Sequence, residues 1–313
     1  MQYDLETTDV SLDLFGSAQS KLIDDKITKN KEKPFLLMLR ASTSAKNFLI
    51  SKNARTITIF IGKGNNGEDG LCLAALLKIE NVKTHIIDLE YKNRSESQAY
   101  RLCNDLGVKV EQFNPTRIPK SDWYVDALFG IGLNRDIKGD YLRAINFLQR
   151  SKSKRILSLD LPSGLDGSKG IIFNNAVKAT TTISFLTIKP GLFIDQACDY
   201  TGAIYFDDLG IDKLGYKPDM KAIGKETIHI SELSRSAHKG ERGSILCLGG
   251  SNSMEGAGIL AGISALRSGG GKIFWASNTN KLQRPPELIQ IEPTIDSIKA
   301  VLEKNMRTAI IGP

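Results

Sequence analysis

Residues 56–61 (TITIFI) run without a break into a glycine-rich stretch, residues 62–70, and a helix-like segment at 71–79 follows. A short β-branched apolar run ending in such a turn marks the start of a β-loop-α unit. The pattern then recurs. Residues 82–89 read as the next strand and 95–106 as the next helix, and 124–129, 155–161, 181–187 and 203–206 continue the strand series. Strands alternating with helical patterns of this kind predict βαβ units in a mostly parallel sheet. Residues 1–50 read as helical and amphipathic, with an apolar patch at 35–39.

A composition shift follows. Residues 210–236 mix charges around Gly215, Pro218 and Gly224 and show little periodicity. This places a linker at 213–234, between a first domain of residues 1–212 and a second of 235–313. The strand–loop–helix–strand order then begins afresh, with strands at 244–248 and 272–276 around a helix at 257–267. The second domain has only 79 residues and ends in an apolar strand, Thr308-Ala309-Ile310-Ile311, running into Gly312-Pro313. Such a strand needs partners on both sides, so the second domain is expected to be incomplete.

Composition excludes several function classes. With 41% apolar and 25% charged residues, the chain is an ordinary globular sequence. Its net charge of +7 is dispersed, whereas nucleic-acid readers concentrate basic residues on one face or segment. No apolar run is long enough for a membrane span, and the acidic start MQYDLE lacks a signal pattern, so a cytoplasmic protein is expected. Cys72, Cys103, Cys198 and Cys247 are far apart, and His85, His229 and His238 are the only histidines. That inventory favours neither a zinc site nor a disulfide framework.

The chemistry therefore falls to the loops. Gly62-Lys63-Gly64-Asn65-Asn66-Gly67 satisfies G-x-G-x-x-G, and Asp88 stands 21 residues beyond Gly67. Both fit a dinucleotide-binding turn, and with it an ordinary NAD-dependent dehydrogenase. Against that, Glu68 and Asp69 would bring two carboxylates to the helix start, where a pyrophosphate sits. Two further loops end strands of the same series, VDALFGIGLN (125–134) and LDLPSGLDG (159–167). One aspartate at a strand end is ordinarily a turn or cap residue. Several oxygen-rich loops converging on one sheet edge instead suit a hard cation, with an aspartate available as acid or base.

GKGNNGEDG, VDALFGIGLN and LDLPSGLDG, in this order, resemble the NAD(P)H-hydrate epimerase family over residues 18–209. The segments 238–243, 249–251, 256–257 and 265–271 resemble the start of the ADP/ATP-dependent NAD(P)H-hydrate dehydratase domain. The resemblance implies a Rossmann-like, three-layer α/β epimerase domain followed by a truncated ribokinase-like α/β domain, the bacterial order of a bifunctional repair protein. It implies that Asn66, Asp126 and Ser163 hold one potassium ion. Asn65, Asn66, Gly67, Glu68 and Asp69, with Gly130, Ile131, Gly132, Leu133, Asn134, Arg135 and Asp136, match the loops around the nucleotide. Asp160 matches the carboxylate at the nicotinamide ring, and Ala257 a substrate position of the dehydratase. The implied reaction interconverts the R and S forms of hydrated NADH or NADPH at C6. The partner is thus a small molecule, not nucleic acid or membrane, and a homo-oligomer is compatible by analogy. ADP or ATP is implied only for a complete dehydratase domain, whose phosphate loop and catalytic Asp come after the point where this sequence stops.

Within that resemblance, Asp160 is expected to move a proton while C6 loses and regains its hydroxyl; the competing structural role is a cap on the Pro162-Ser163-Gly164 turn. Two positions depart from the family. Glu68 replaces a glycine of the first loop, and a positive φ there would cost about 1–3 kcal/mol. Met38-Leu39-Arg40-Ala41-Ser42 replaces M-E-N-A-G. Both favour the alternative of a catalytically impaired nucleotide-binding or interaction protein on the same fold.

Overall fold

The computed structural model describes residues 2–4, 11–30, 33–92, 96–151, 155–211, 215–228, 234, 236–250, 253–278, 282–304 and 306–312. His229, Ser251, Pro313 and the linker positions 213–214 and 229–233 lie outside them. The chain forms two compact units, Met1–His229 and Ile230–Pro313.

The first unit runs β1 (Gln2–Asp4), β2 (Leu12–Leu14), α1 (Ser17–Asn30), α2 (Pro34–Ser51), β3 (Thr56–Ile61), α3 (Asn65–Ile79), β4 (Lys83–Asp88), α4 (Gln98–Asp105), β5 (Val110–Gln112), β6 (Trp123–Ala127), α5 (Gly139–Arg150), β7 (Ile156–Leu159), β8 (Thr181–Phe185), β9 (Ala203–Asp207) and β10 (Met220–Ala222). Eight strands make one sheet in the order β1-β9-β8-β7-β6-β3-β4-β5. All its pairs are parallel except β1 on β9. Alternate residues of the strands feed two cores. Ile57, Ile59 and Ile61 pack with Ile23, Leu49, Leu73 and Cys103 from α1 to α4. Phe60 joins Tyr124, Ile156 and the α5 residues Ala144, Ile145 and Leu148 on the other face. The result is the expected three-layer α/β unit. Its topological switch lies between β3 and β6, where the chain leaves in opposite directions and a crevice opens beyond the strand ends.

The glycines of the first loop are there for close approach. A Cβ on Gly62 would lie 2.0 Å from Leu128 O, and one on Gly67 would lie 2.0 Å from Gly62 O. Neither position accepts a side chain without moving the backbone that joins the β3 and β6 loops.

The N-terminal fifty residues are not all helical: two strands precede α1. Each has three residues, too few for a period, and their partners are remote, Asp207 for Gln2 and Lys221 for Asp13. The β2–β10 pair also corrects the linker. Residues 215–228 belong to the first unit, where Asp219 N donates to Leu14 O and its carboxylate accepts from Gly16 N, at 2.9 and 2.8 Å. Elements β5 and α5 were not foreseen, and α3 begins at Asn65, six residues before the expected start.

The second unit contains β11 (Ser244–Leu248), α6 (Glu255–Arg267), β12 (Lys272–Ala276), β13 (Leu288–Ile291), α7 (Ile295–Leu302) and β14 (Met306–Ile311). Its sheet is parallel, in the order β13-β12-β11-β14. Trp275 is wholly buried in its core and donates to Gly249 O at 2.9 Å. Among the described residues of the chain, no helix is long and apolar enough to cross a membrane.

Candidate active site

A cavity of about 1080 Å³ opens at the carboxyl edge of the first unit's sheet. The loop after β3, the start of α3, residues 128–138 after β6, Asp160 after β7, and Phe185, Leu186, Thr187 and Lys189 at the end of β8 line it, together with residues of α1 and α2. Asn65, Asn66, Asp69, Gly130, Ile131, Gly132, Leu133, Asn134, Arg135, Asp136 and Asp160 therefore share one space.

Asp126 lies just behind the wall and is fully buried. Its carboxylate accepts from Ser163 Oγ at 2.6 Å, Ser163 N and Ser158 Oγ at 2.8 Å, and Leu128 N at 3.3 Å. Burial pushes this carboxyl up, and the four hydrogen bonds offset only part of the effect. The network pins the strand-end loops of β6 and β7 together. Ser163 Oγ also accepts from Phe129 N at 2.9 Å, and Asn66 Nδ2 donates to Phe129 O at 2.8 Å. Asn66 is 7% exposed, and its buried Oδ1 has no hydrogen-bond donor among the described residues.

Asp160 occupies the left-handed region at φ 65°. Its carboxylate, 17% exposed, forms an ion pair with the nearly buried Lys189 and accepts from Phe185 N at 3.4 Å. Lys189 also donates to Phe185 O and Ser184 Oγ, at 3.1 and 3.3 Å. The Pro162-Ser163-Gly164 turn is held instead by Asp126, through Ser163 N. Leu186 and Leu209 line the same cavity, likewise at positive φ, 62° and 56°. Non-glycine residues in that region store strain and cluster at functional sites.

Two more carboxyls face this space. Burial first, then Asp160 and Asp25, push Asp24 up, partly offset by Lys189. Asp69 is held well above the usual range by burial and by the charges of Asp160, Asp24 and Glu68.

Several expected site residues fall elsewhere. Gly67 and Glu68 are not part of the lining. Because α3 starts at Asn65, Glu68 has helical backbone without positive φ, and the expected strain is absent. Its Oε2 accepts from Ser97 Oγ, the N-cap of α4, so its charge is directed away from the cavity. Asp88 is buried at the end of β4, where its carboxylate accepts from Glu90 N at 2.8 Å, and it too is outside the lining. Ala257 belongs to the second unit, in the first turn of α6. Lys189 and Asp24 were missed. The available signal for Lys189 was a lone cation in the apolar run 181–194; Asp24 stood unmarked among the charges of α1.

Comparisons with known proteins agree on what this architecture is. Residues 15–191, more than half the chain, match the model for the YjeF-related protein N-terminus. The NAD(P)H-hydrate epimerase of Lentilactobacillus buchneri is 36% identical, over 62% of this chain and 92% of that protein. The bifunctional NAD(P)H-hydrate repair enzyme Nnr of Coxiella burnetii is 28% identical, over 96% of this chain and 64% of its own length. The chain spans between 54% and 64% of this relative and of its counterparts in Dictyoglomus turgidum and Escherichia coli. The crystal structure of yeast ynu0 superposes with a TM-score of 0.56 at 22% identity, covering 66% of this chain and 95% of that one, and shows the same fold. The first unit's motifs, its three layers and its strand-end cavity thus agree with the sequence match, and the chain belongs to the family of the YjeF-related protein N-terminus.

Proposed function

We propose that the first unit interconverts the R and S epimers of hydrated NADH and NADPH. The observation that carries this reading is one cavity joining the Asp160–Lys189 pair to the first turn of α3. A helix start favours phosphate, and the exposed cations Lys63, Arg135 and Lys138 also line the space. The nicotinamide ring then lies inward, near Asp160. The ring-nitrogen lone pair helps expel the C6 hydroxyl, and water adds back to the iminium from the other face. Asp160 carries a proton in this exchange, a role ordinarily contributing about 10² to 10⁴-fold, while Lys189 fixes the carboxylate.

The oxygen set near Asn66 suits a potassium ion. Asn66 Oδ1 is a buried acceptor without a donor, and Asp126 supplies negative charge. Both oxygens of Asp126 already accept two hydrogen bonds, so Asn66 Oδ1 and loop carbonyls would provide the direct contacts. A bound cation there would supply electrostatic stabilisation and order the loops; Asn66 would touch it, while Asp126 would hold it by charge and Ser163 by fixing the loop around it. The turn of Glu68 toward Ser97 removes one of the two grounds for a silent relative of the family. For the second unit, the glycine segments at 249–251 and 265–271 support the start of a dehydratase domain, with Ala257 as a substrate position and ADP or ATP as co-substrate only of a complete domain.

The test is conversion of the purified R hydrate to the S form, followed by chromatography in potassium and in lithium buffer, with the spontaneous rate subtracted. The expected result is acceleration without any redox change, weaker in lithium. A folded protein that leaves the spontaneous rate unchanged would contradict the reading.

A further inference from the structure

Epimerisation through loss and return of water poses a geometric problem. The hydroxyl leaves one face of the ring and the new one enters at the other. A single fixed carboxyl serves both faces only if the ring turns over. A second proton carrier, placed on a different wall, removes that requirement.

Asp69 is such a group. It lies on α3, on the helical layer, whereas Asp160 stands at the sheet edge after β7. Its peptide oxygen accepts from Ser42 Oγ at 2.8 Å, tying this turn of α3 to α2. Its carboxyl lines the cavity, with no hydrogen bond or ion pair to it among the described residues. The space in front of it is built for a ligand. Asn66, one turn earlier on the same helix, lines the same cavity and keeps a buried Oδ1 with no hydrogen-bond partner among the described residues, and Gly130 lies between Asn66 and Asp160. A Cβ on Gly130 would lie 3.7 Å from Asn66 Cβ and 3.6 Å from Asp160 Oδ2.

We infer that Asp69 is a second catalytic carboxyl, handling the hydroxyl on one face of the ring while Asp160 handles it on the other; the inference rests on the epimerase reading. In one direction the Asp69 proton passes to the C6 hydroxyl, the C6–O bond breaks, and the nitrogen lone pair forms the N=C6 bond as water departs. A water on the opposite face then bonds to C6, gives a proton to the Asp160 carboxylate, and the pair returns to nitrogen. Nothing is oxidised or reduced. Asp69 has lost the proton that Asp160 has gained, and the reverse reaction or solvent restores both. The titratable groups interacting with Asp69 are Asp160 from the sheet edge, Asp24 from α1, and Glu68 and Cys72 on its own helix, with Lys189 beside Asp160 and Asp24. Burial and the three negative charges raise Asp69 well above the usual carboxylate range, the direction a proton donor requires.

The test compares wild type, Asp69→Asn, Asp69→Glu and Asp160→Asn on the pure R hydrate across pH. Asp69→Asn is expected to lower kcat by about 10² to 10⁴-fold, with KM little changed. It should also remove the alkaline fall in the wild-type kcat profile, and Asp69→Glu should recover part of the rate. Thermal unfolding checks that each variant is folded. Asp69→Asn with the wild-type kcat, or with a lowered kcat but an unaltered pH profile, would overturn the inference and leave the epimerase reading standing. A wild type no faster than buffer would overturn both.

Discussion

Asp126 and Asp160 close adjacent strands of one parallel sheet, each followed by a glycine-containing loop, and their surroundings differ sharply. Asp126 is fully buried, with four donors on its two oxygens, and it joins the β6 and β7 loops. Asp160 is held by one lysine and one peptide N–H, with the rest of its carboxylate open to the cavity. A saturated carboxylate is a frame; one anchored through a single oxygen and open to the cavity is the group to which the proposed epimerisation assigns proton exchange. The same residue type at equivalent strand ends thus takes two roles, and only three-dimensional partners distinguish them.

Breaking the frame should have the largest effect. Asp126→Ala leaves Ser163 N, Ser158 Oγ and Leu128 N without their shared acceptor, a loss of roughly 3 kcal/mol or more. Calorimetry should show the first unit's transition falling by about 6–12 °C.

Asp69 sharpens the contrast from the opposite side. A carboxyl whose pKa is raised in the folded state contributes stability below its unfolded value, 3.8, and that contribution is lost as pH rises through the raised value. Asp69→Asn should therefore match wild type in Tm near pH 4 and exceed it by a few degrees at pH 8. Equal Tm differences at both pH values would mean that Asp69 is not held protonated.

The smallest effect belongs to Glu68, whose side chain turns to Ser97 and not to the cavity. Glu68→Gly should cost about 1 kcal/mol, the ordinary helix-interior penalty, and leave kcat within about twofold of wild type, a change too small for a proton-transfer group. A marked gain in rate would show instead that this charge does impede the nucleotide.

Much of this was legible in the sequence. The TITIFI run and its glycine loop mark β3 and the turn into α3, and the aspartates of the next two strand-end loops mark the carboxyl edge where the cavity lies. What was not legible depends on remote partners. Lys189 meets Asp160 across 29 positions because β8 lies beside β7. Strands β2 and β10 are three residues each and pair across the length of the unit, so no local period announces them. The start of α3 was set too late because Asn65 to Gly70 look like loop residues; Gly62 and Gly67 fit so closely that the helix begins directly after β3.

The most direct test measures two quantities on two variants, Asp160→Asn and Asp126→Asn: kcat for R-to-S conversion and Tm in the same buffer. For Asp160→Asn the account predicts a kcat lowered by about 10² to 10⁴-fold, with a fall in Tm as well, because the nearly buried Lys189 loses its carboxylate partner. For Asp126→Asn it predicts the larger drop in Tm. An Asp160→Asn protein that epimerises at the wild-type rate would contradict it.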